Sequence, residues 1–160
     1  MRTISFLAAA TAAVAMAGSA MAQAADVTVV IGPDLDRKAQ ELGHDEVARQ
    51  ARELERRLAT ELAARGVLDG ARIHLVLTDV APNRPTSEQV RRTPGLSHFH
   101  SFSIGGAAIE GEITTADGQV RPVSYDWYST NIRDARYNAT WQDADRAFMN
   151  FSRRLADGRL

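Results

Sequence analysis

Apolar residues recur along this chain in two rhythms. Between Asp45 and Arg65, Val47, Ala51, Leu54, Leu58 and Leu62 follow one another at steps of four, three, four and four, with Arg49, Arg52, Glu53, Arg56, Arg57 and Glu61 between them. That spacing lays one apolar stripe along a helix of 3.6 residues per turn, and predicts an amphipathic helix over 45–65. His44 or Asp45 stands where an N-cap is wanted, and Gly66 where a C-terminal glycine stop is expected. The rhythm returns with Trp141, Ala144, Phe148, Phe151 and Leu155. Thr140 and Asp143 have cap spacing there, and Asp157-Gly158 supplies the stop.

The second rhythm has period two, the spacing of side chains along a strand. In "ARIHLVLTDV" (71–80) Ile73, Leu75 and Leu77 fall on one side and His74, Val76 and Thr78 on the other. "DVTVVIGP" (26–33) is a β-branched run stopped by Gly32 and Pro33, which predicts a first strand. The following "DLDRKAQELG" is polar and leaves loop or helical turn open. Alternation from Ile104 to Thr115 meets a second run, Gln119 to Ser129, across Ala116-Asp117-Gly118.

The register of that hairpin follows from its faces. A two-residue Asp-Gly turn would set Ile109 against Asp126, mixing a core position with a carboxylate. A three-residue loop with Gly118 in the left-handed conformation instead pairs Ile109 with Tyr125, Gly111 with Val123 and Ala107 with Trp127. It leaves Glu110, Glu112, Ser124, Asp126 and Tyr128 together on a wet face. Two one-faced helices and a sheet with one apolar face make a two-layer α+β sandwich, in the order β-α-β-β-β-α. The sheet is expected to have about four strands, antiparallel or mixed, with both helices on one face.

The first residues change the compartment. Arg2 precedes an Ala-rich apolar stretch from Ile4 to Ala17, and Ala20-Met21-Ala22 is a small-x-small cleavage site. Residues 1–22 read as a secretory signal peptide, and 23–160 as a single domain of ordinary size. No later segment is apolar enough to insert into a membrane after cleavage. The chain has no cysteine, which removes disulfides, thiol catalysis and a lipidated N-terminal cysteine. With 19 Lys and Arg against 20 Asp and Glu, and no basic block, a nucleic-acid partner is not expected.

Candidate chemistry is sparse. His98 and His100 flank Phe99; were the segment extended, both rings would point one way, with Glu110, Glu112 or His74 as further ligands for zinc or copper. Glu110 with Asp126 offers a carboxylate pair of the kind a hydrolase uses. Gly105-Gly106 lacks the helix and Lys-Ser/Thr pair of a phosphate loop, so these glycines and Gly111 are expected to admit a close backbone or helix. Tyr125 and Trp127 belong to the core, while Tyr128 faces outward, where it can stack on a sugar or a protein. "NRPTSEQVRRTPG" presents Arg84, Arg91 and Arg92 to an acidic partner or anionic polymer, or else holds a short helix of solvated charges. No Gly-x-Ser-x-Gly elbow accompanies the Ser, His and Asp residues.

Several strings carry a resemblance: "ELAARGV" ending the first helix, the strand "IHLVLTDV", the hairpin "IGGAAIEGEI…ADG" and the final "TW.DA…F..F…L". They resemble small bacterial exported proteins and lipoproteins of unknown function. Their layout is similar to the domain shared by the penicillin-binding-protein activator LpoB, the curli secretion protein CsgG and the N-terminal domain of TolB. The resemblance implies an envelope protein that works by contact, and this chain departs from the lipoprotein members in having no cysteine after the signal. The expectation is therefore a soluble, non-lipidated periplasmic accessory module without a cofactor, binding an envelope protein or polymer. Its contact surface would be the connection 81–104 and the open sheet face, with His98, His100, Arg91, Arg92 and Tyr128 as binding residues. The alternatives are a metal-binding protein using His98 and His100, and a carboxylate-dependent hydrolase.

Overall fold

The computed structural model describes residues 23–160; the signal-peptide expectation falls on residues 1–22, outside the described residues. The elements run β1 (Asp26–Ile31), α1 (Pro33–Leu42), α2 (His44–Arg65), β2 (Arg72–Ala81), α3 (Ser87–Arg92), β3 (Gly106–Thr114), β4 (Val120–Tyr128), α4 (Ile132–Ala135) and α5 (Gln142–Ala156). One mixed sheet has the strand order β1-β2-β3-β4, with β1 and β2 parallel and the other two pairings antiparallel. Parallel neighbours need a crossover, and α1 with the 22-residue α2 supplies it. The α+β two-layer architecture is the one expected.

The helices cover one face. Val47, Leu54, Leu58 and Leu62 of α2 and Phe148, Phe151 and Leu155 of α5 meet Ile73, Leu75, Leu77, Ile109 and Val123 in a single core. The two long helices run in the same direction, since Trp141 Nε1 donates to Glu46 Oε2 at 3.0 Å near their starts and Arg65 pairs with Asp157 at their ends. Tyr125 packs its ring on Phe151 at 5.8 Å between centroids, and the Arg154 guanidinium lies over the Tyr125 ring, 5.5 Å from its centroid. The hairpin has the expected register: Ala107 opposite Trp127, Ile109 opposite Tyr125, Gly111 opposite Val123. The Thr115 N–H closes the loop on Gln119 O at 2.9 Å, and Gly118 takes φ +84°.

One open point is resolved, and three details differ from the sequence expectation. The undecided "DLDRKAQELG" is α1, which starts at Pro33 and buries Leu35, Ala39 and Leu42; three apolar residues on one face suffice because Pro33 pre-sets the first turn. Gly43, not His44 or Asp45, is the N-cap of α2, and Trp141, not Thr140, that of α5, neither with a side-chain cap bond. Trp141 consequently sits at the edge of the core, half-buried, where its indole N–H can reach Glu46. Finally, β2 is bulged at Thr78, with Leu77 opposite Ile109 but Asp79 opposite Ala108. The extra residue reverses the alternation, so Val80 enters the core and Asp79 joins the open face.

Candidate functional site

The connection from Ala81 to Gly105 is the longest departure from regular structure, and two polar nodes hold it. At the first, Asp143 in the opening turn of α5 is fully buried. Its carboxylate accepts from Asn83 Nδ2 at 2.5 Å, Asn138 Nδ2 at 3.1 Å and the Gly105 N–H at 3.4 Å, and Arg146 lies 3.3 Å away. Asn83 Oδ1 accepts in return from the Asp143 N–H at 2.9 Å. A buried carboxylate is tolerated only when so satisfied. Gly105 is required here, since a Cβ would stand 2.8 Å from Asn83 Oδ1.

Arg84 forms the second node. Its guanidinium donates to Asn138 O and His98 O at 2.8 Å, Phe99 O at 3.1 Å and Arg136 O at 2.5 Å, tying the segment 97–101 to the segment 136–138. The planar fork of arginine suits this many acceptors where lysine would not. Arg84 is thus inward-working and structural, not presented to a partner. The sequence carried no signal for this, because its acceptors are backbone atoms up to 54 residues away.

The segment these nodes anchor presents apolar side chains to solvent. Phe99 is 85% exposed, Phe102 41% and Ile104 39%. Beside them a cleft of about 240 Å³ opens between α1, α3 and the connection, lined by Leu42, Pro82, Pro85, Leu96, Phe102 and Ile104 with Lys38 among them. Lys38 Nζ donates to Asp79 Oδ1 at 2.8 Å, and Tyr128 Oη donates to Asp79 Oδ2 at 2.6 Å. Partial burial would raise the Asp79 pKa, but the Lys38 and Tyr128 hydrogen bonds and the ammonium charge outweigh it and hold the carboxyl below its ordinary range. Burial and then the Asp79 carboxylate push the Tyr128 hydroxyl up, so it remains a donor.

The other candidate residues are placed as follows. His98 and His100 lie in a turn closed by the Ser101 N–H on Ser97 O at 3.0 Å, not in an extended segment, so the geometry that would aim both rings one way is absent. His74 is elsewhere, opposite Glu112 on the open sheet face. Among the described residues, no three His, Cys, Asp or Glu side chains are grouped so as to hold a metal ion. Arg91 and Arg92 are exposed on α3, a short helix with a Thr86/Gln89 capping box, and both pair with Glu88. Glu110, Ser124 and Asp126 share the open face as expected, all exposed; Glu110 lies opposite Ser124, and Asp126 opposite Ala108. Tyr128 is on that face too, but half-buried and engaged with Asp79.

No family model matches the chain, and no curated protein matches it. Among solved structures, a minor lipoprotein from Acinetobacter baumannii matches at 15% identity and a TM-score of 0.34, over 84% of this chain and 94% of that one. At that level of overlap, the role of the neighbour is not transferred to this chain. Among the described residues, no helix is long and apolar enough to cross a membrane.

Proposed function

We propose that the chain is exported and acts in the periplasm as a non-catalytic binding module, touching an envelope partner through the 96–104 segment and the adjoining open sheet face. The observation that carries this reading is a contrast within one segment. The backbone is pinned by Arg84, Asn83 and Asp143, while Phe99, Phe102 and Ile104 stand out in solvent. Fixing a loop costs conformational entropy, and a backbone already held in that way loses little more on binding. Large exposed apolar residues beside a cleft are the usual anchors of a protein contact.

The test uses the full chain expressed with its leader. A photo-reactive amino acid at Phe99 should capture a discrete partner in intact cells, and the partner should disappear with Phe102→Ser. Phe99→Ser should unfold within about 0.5 kcal/mol of the wild type, as an exposed position predicts. Capture of the same species from a probe placed on the opposite surface, at Arg52 of α2, would sink the assignment of the contact to this segment. N-terminal sequencing of the periplasmic form should begin after Ala22.

A further inference from the structure

The two edges of the sheet are not equivalent. In β1 the N–H groups of Asp26 and Gly32 point to β2, bonding Ala71 O at 2.8 Å and Leu77 O at 2.9 Å, so those of Val27, Val29 and Ile31 point outward. The middle one is sealed: Glu55 of α2 accepts from the Val29 N–H at 3.2 Å. In β4 the Ser129 N–H bonds Gly105 O at 3.0 Å, and the register of the hairpin then directs residues 127, 125, 123 and 121 toward β3. Positions 120, 122, 124, 126 and 128 direct their peptide groups outward. Pro122 has no N–H to offer, which blunts the first half of the edge. Ser124, Asp126 and Tyr128 remain as three consecutive outward residues whose N–H and C=O groups have no hydrogen-bond partner among the described residues.

We infer that the 124–128 half of the β4 edge accepts an extended polypeptide segment as a fifth strand, and that this segment carries Lys or Arg at alternate positions on the open-face side. This deepens the binding-module reading and rests on it. Strand addition supplies affinity through main-chain hydrogen bonds, and specificity through the side chains set opposite the edge. The position opposite Asp126 adjoins an exposed carboxylate, and exposed Glu110, opposite Ser124, lies diagonally one strand further in on the same face. On the core side the added strand would lie against half-buried Trp127, which favours an apolar residue at the intervening position.

A second copy of the chain fits poorly. Symmetric antiparallel pairing about Asp126 sets two carboxylates directly opposite, which is destabilising. Sliding by one hydrogen-bonded step sets Ser124 opposite Asp126 and brings Pro122 into the ladder opposite Tyr128, where a donor is missing. A partner strand with basic alternation meets neither obstacle.

The probe is a ten-residue peptide alternating Lys and Val, with its Glu/Val counterpart, added to the mature chain at low salt. With the Lys/Val peptide at ten times its Kd, amide exchange at Ser124, Asp126 and Tyr128 should slow about tenfold, since only the unbound fraction exchanges. The Glu/Val peptide should leave these amides unchanged, and Asp126→Lys should reverse the preference. Ser124→Pro deletes one outward donor without touching the pairing to β3, and should abolish the protection while the circular dichroism spectrum stays that of the wild type. Protection spread equally over β1, equal protection by both peptides, or none at 124–128 would overturn the inference. If the edge fails while the Phe99 probe still captures its partner, the binding-module reading survives without it; if both fail, that reading falls too.

Discussion

Replacing Arg84 with alanine removes four hydrogen bonds at once, and the structure states where the loss should be felt. The bonds to Asn138 O and His98 O are partly shielded from solvent, whereas those to Phe99 O and Arg136 O are exposed. An exposed carbonyl exchanges its partner for water at little cost, so the shielded pair dominates. At about 1.5 kcal/mol each, the low end for a bond to a charged group, they give about 3 kcal/mol. With a urea m-value of about 2 kcal/mol/M, the unfolding midpoint should fall by about 1.5 M. The effect should also be local: Ser103 keeps its bonds to Asn83 O and Pro82 O, so faster amide exchange should be confined to 97–101 and 136–138. Arg84→Lys should recover a minority of the loss, because an ammonium cannot reach four acceptors with a planar fork. A loss under about 0.5 kcal/mol, the range of an ordinary surface substitution, would refute the reasoning. So would a full loss of stability with unchanged exchange at Ser101.

Other consequences follow from close approaches and from titration. Gly111→Ala would set a Cβ 2.2 Å from His74 O, so it should cost more than about 3 kcal/mol by chemical denaturation; Gly118→Ala, with nothing within 4 Å and φ +84°, should cost only the left-handed penalty of about 1–2 kcal/mol. Asp79 is held below its free pKa, so its contribution is complete above about pH 4 and is lost as the pH falls through the lower folded value. Asp79→Asn should therefore flatten the acid limb of the stability profile below pH 4, and an unchanged limb would count against the Lys38–Asp79–Tyr128 arrangement. Tyr128 has the opposite sign: its raised pKa contributes below about pH 10 and is lost as the pH climbs above that, so Tyr128→Phe should flatten the alkaline limb.

What could be read from the sequence was what repeats locally. Val47 to Leu62 and Ala144 to Leu155 announce their helices by spacing, and the conflict between Ile109 and Asp126 rejects one hairpin register before any coordinates are known. The Thr78 bulge was not legible, because "LVLTDV" gives no sign of where the alternation slips until Val80 is seen buried opposite Ala107. The site was less legible than the fold for a related reason. Asn83 and Asp143 lie 60 residues apart, and Arg84 speaks to peptide carbonyls that have no sequence identity at all. His98 and His100 stand out by their spacing around Phe99, yet a backbone turn set by Ser97 and Ser101 decides where their rings go.

Arg84 and Asp143 have one further implication. Long connections can be stapled by disulfides, which form only where the surroundings are oxidising. Here the staples are a guanidinium, a carboxylate and two amides, and the chain contains no cysteine. The loop can therefore reach its final shape without any oxidant, isomerase or thiol exchange, and keeps it under reducing and oxidising conditions alike.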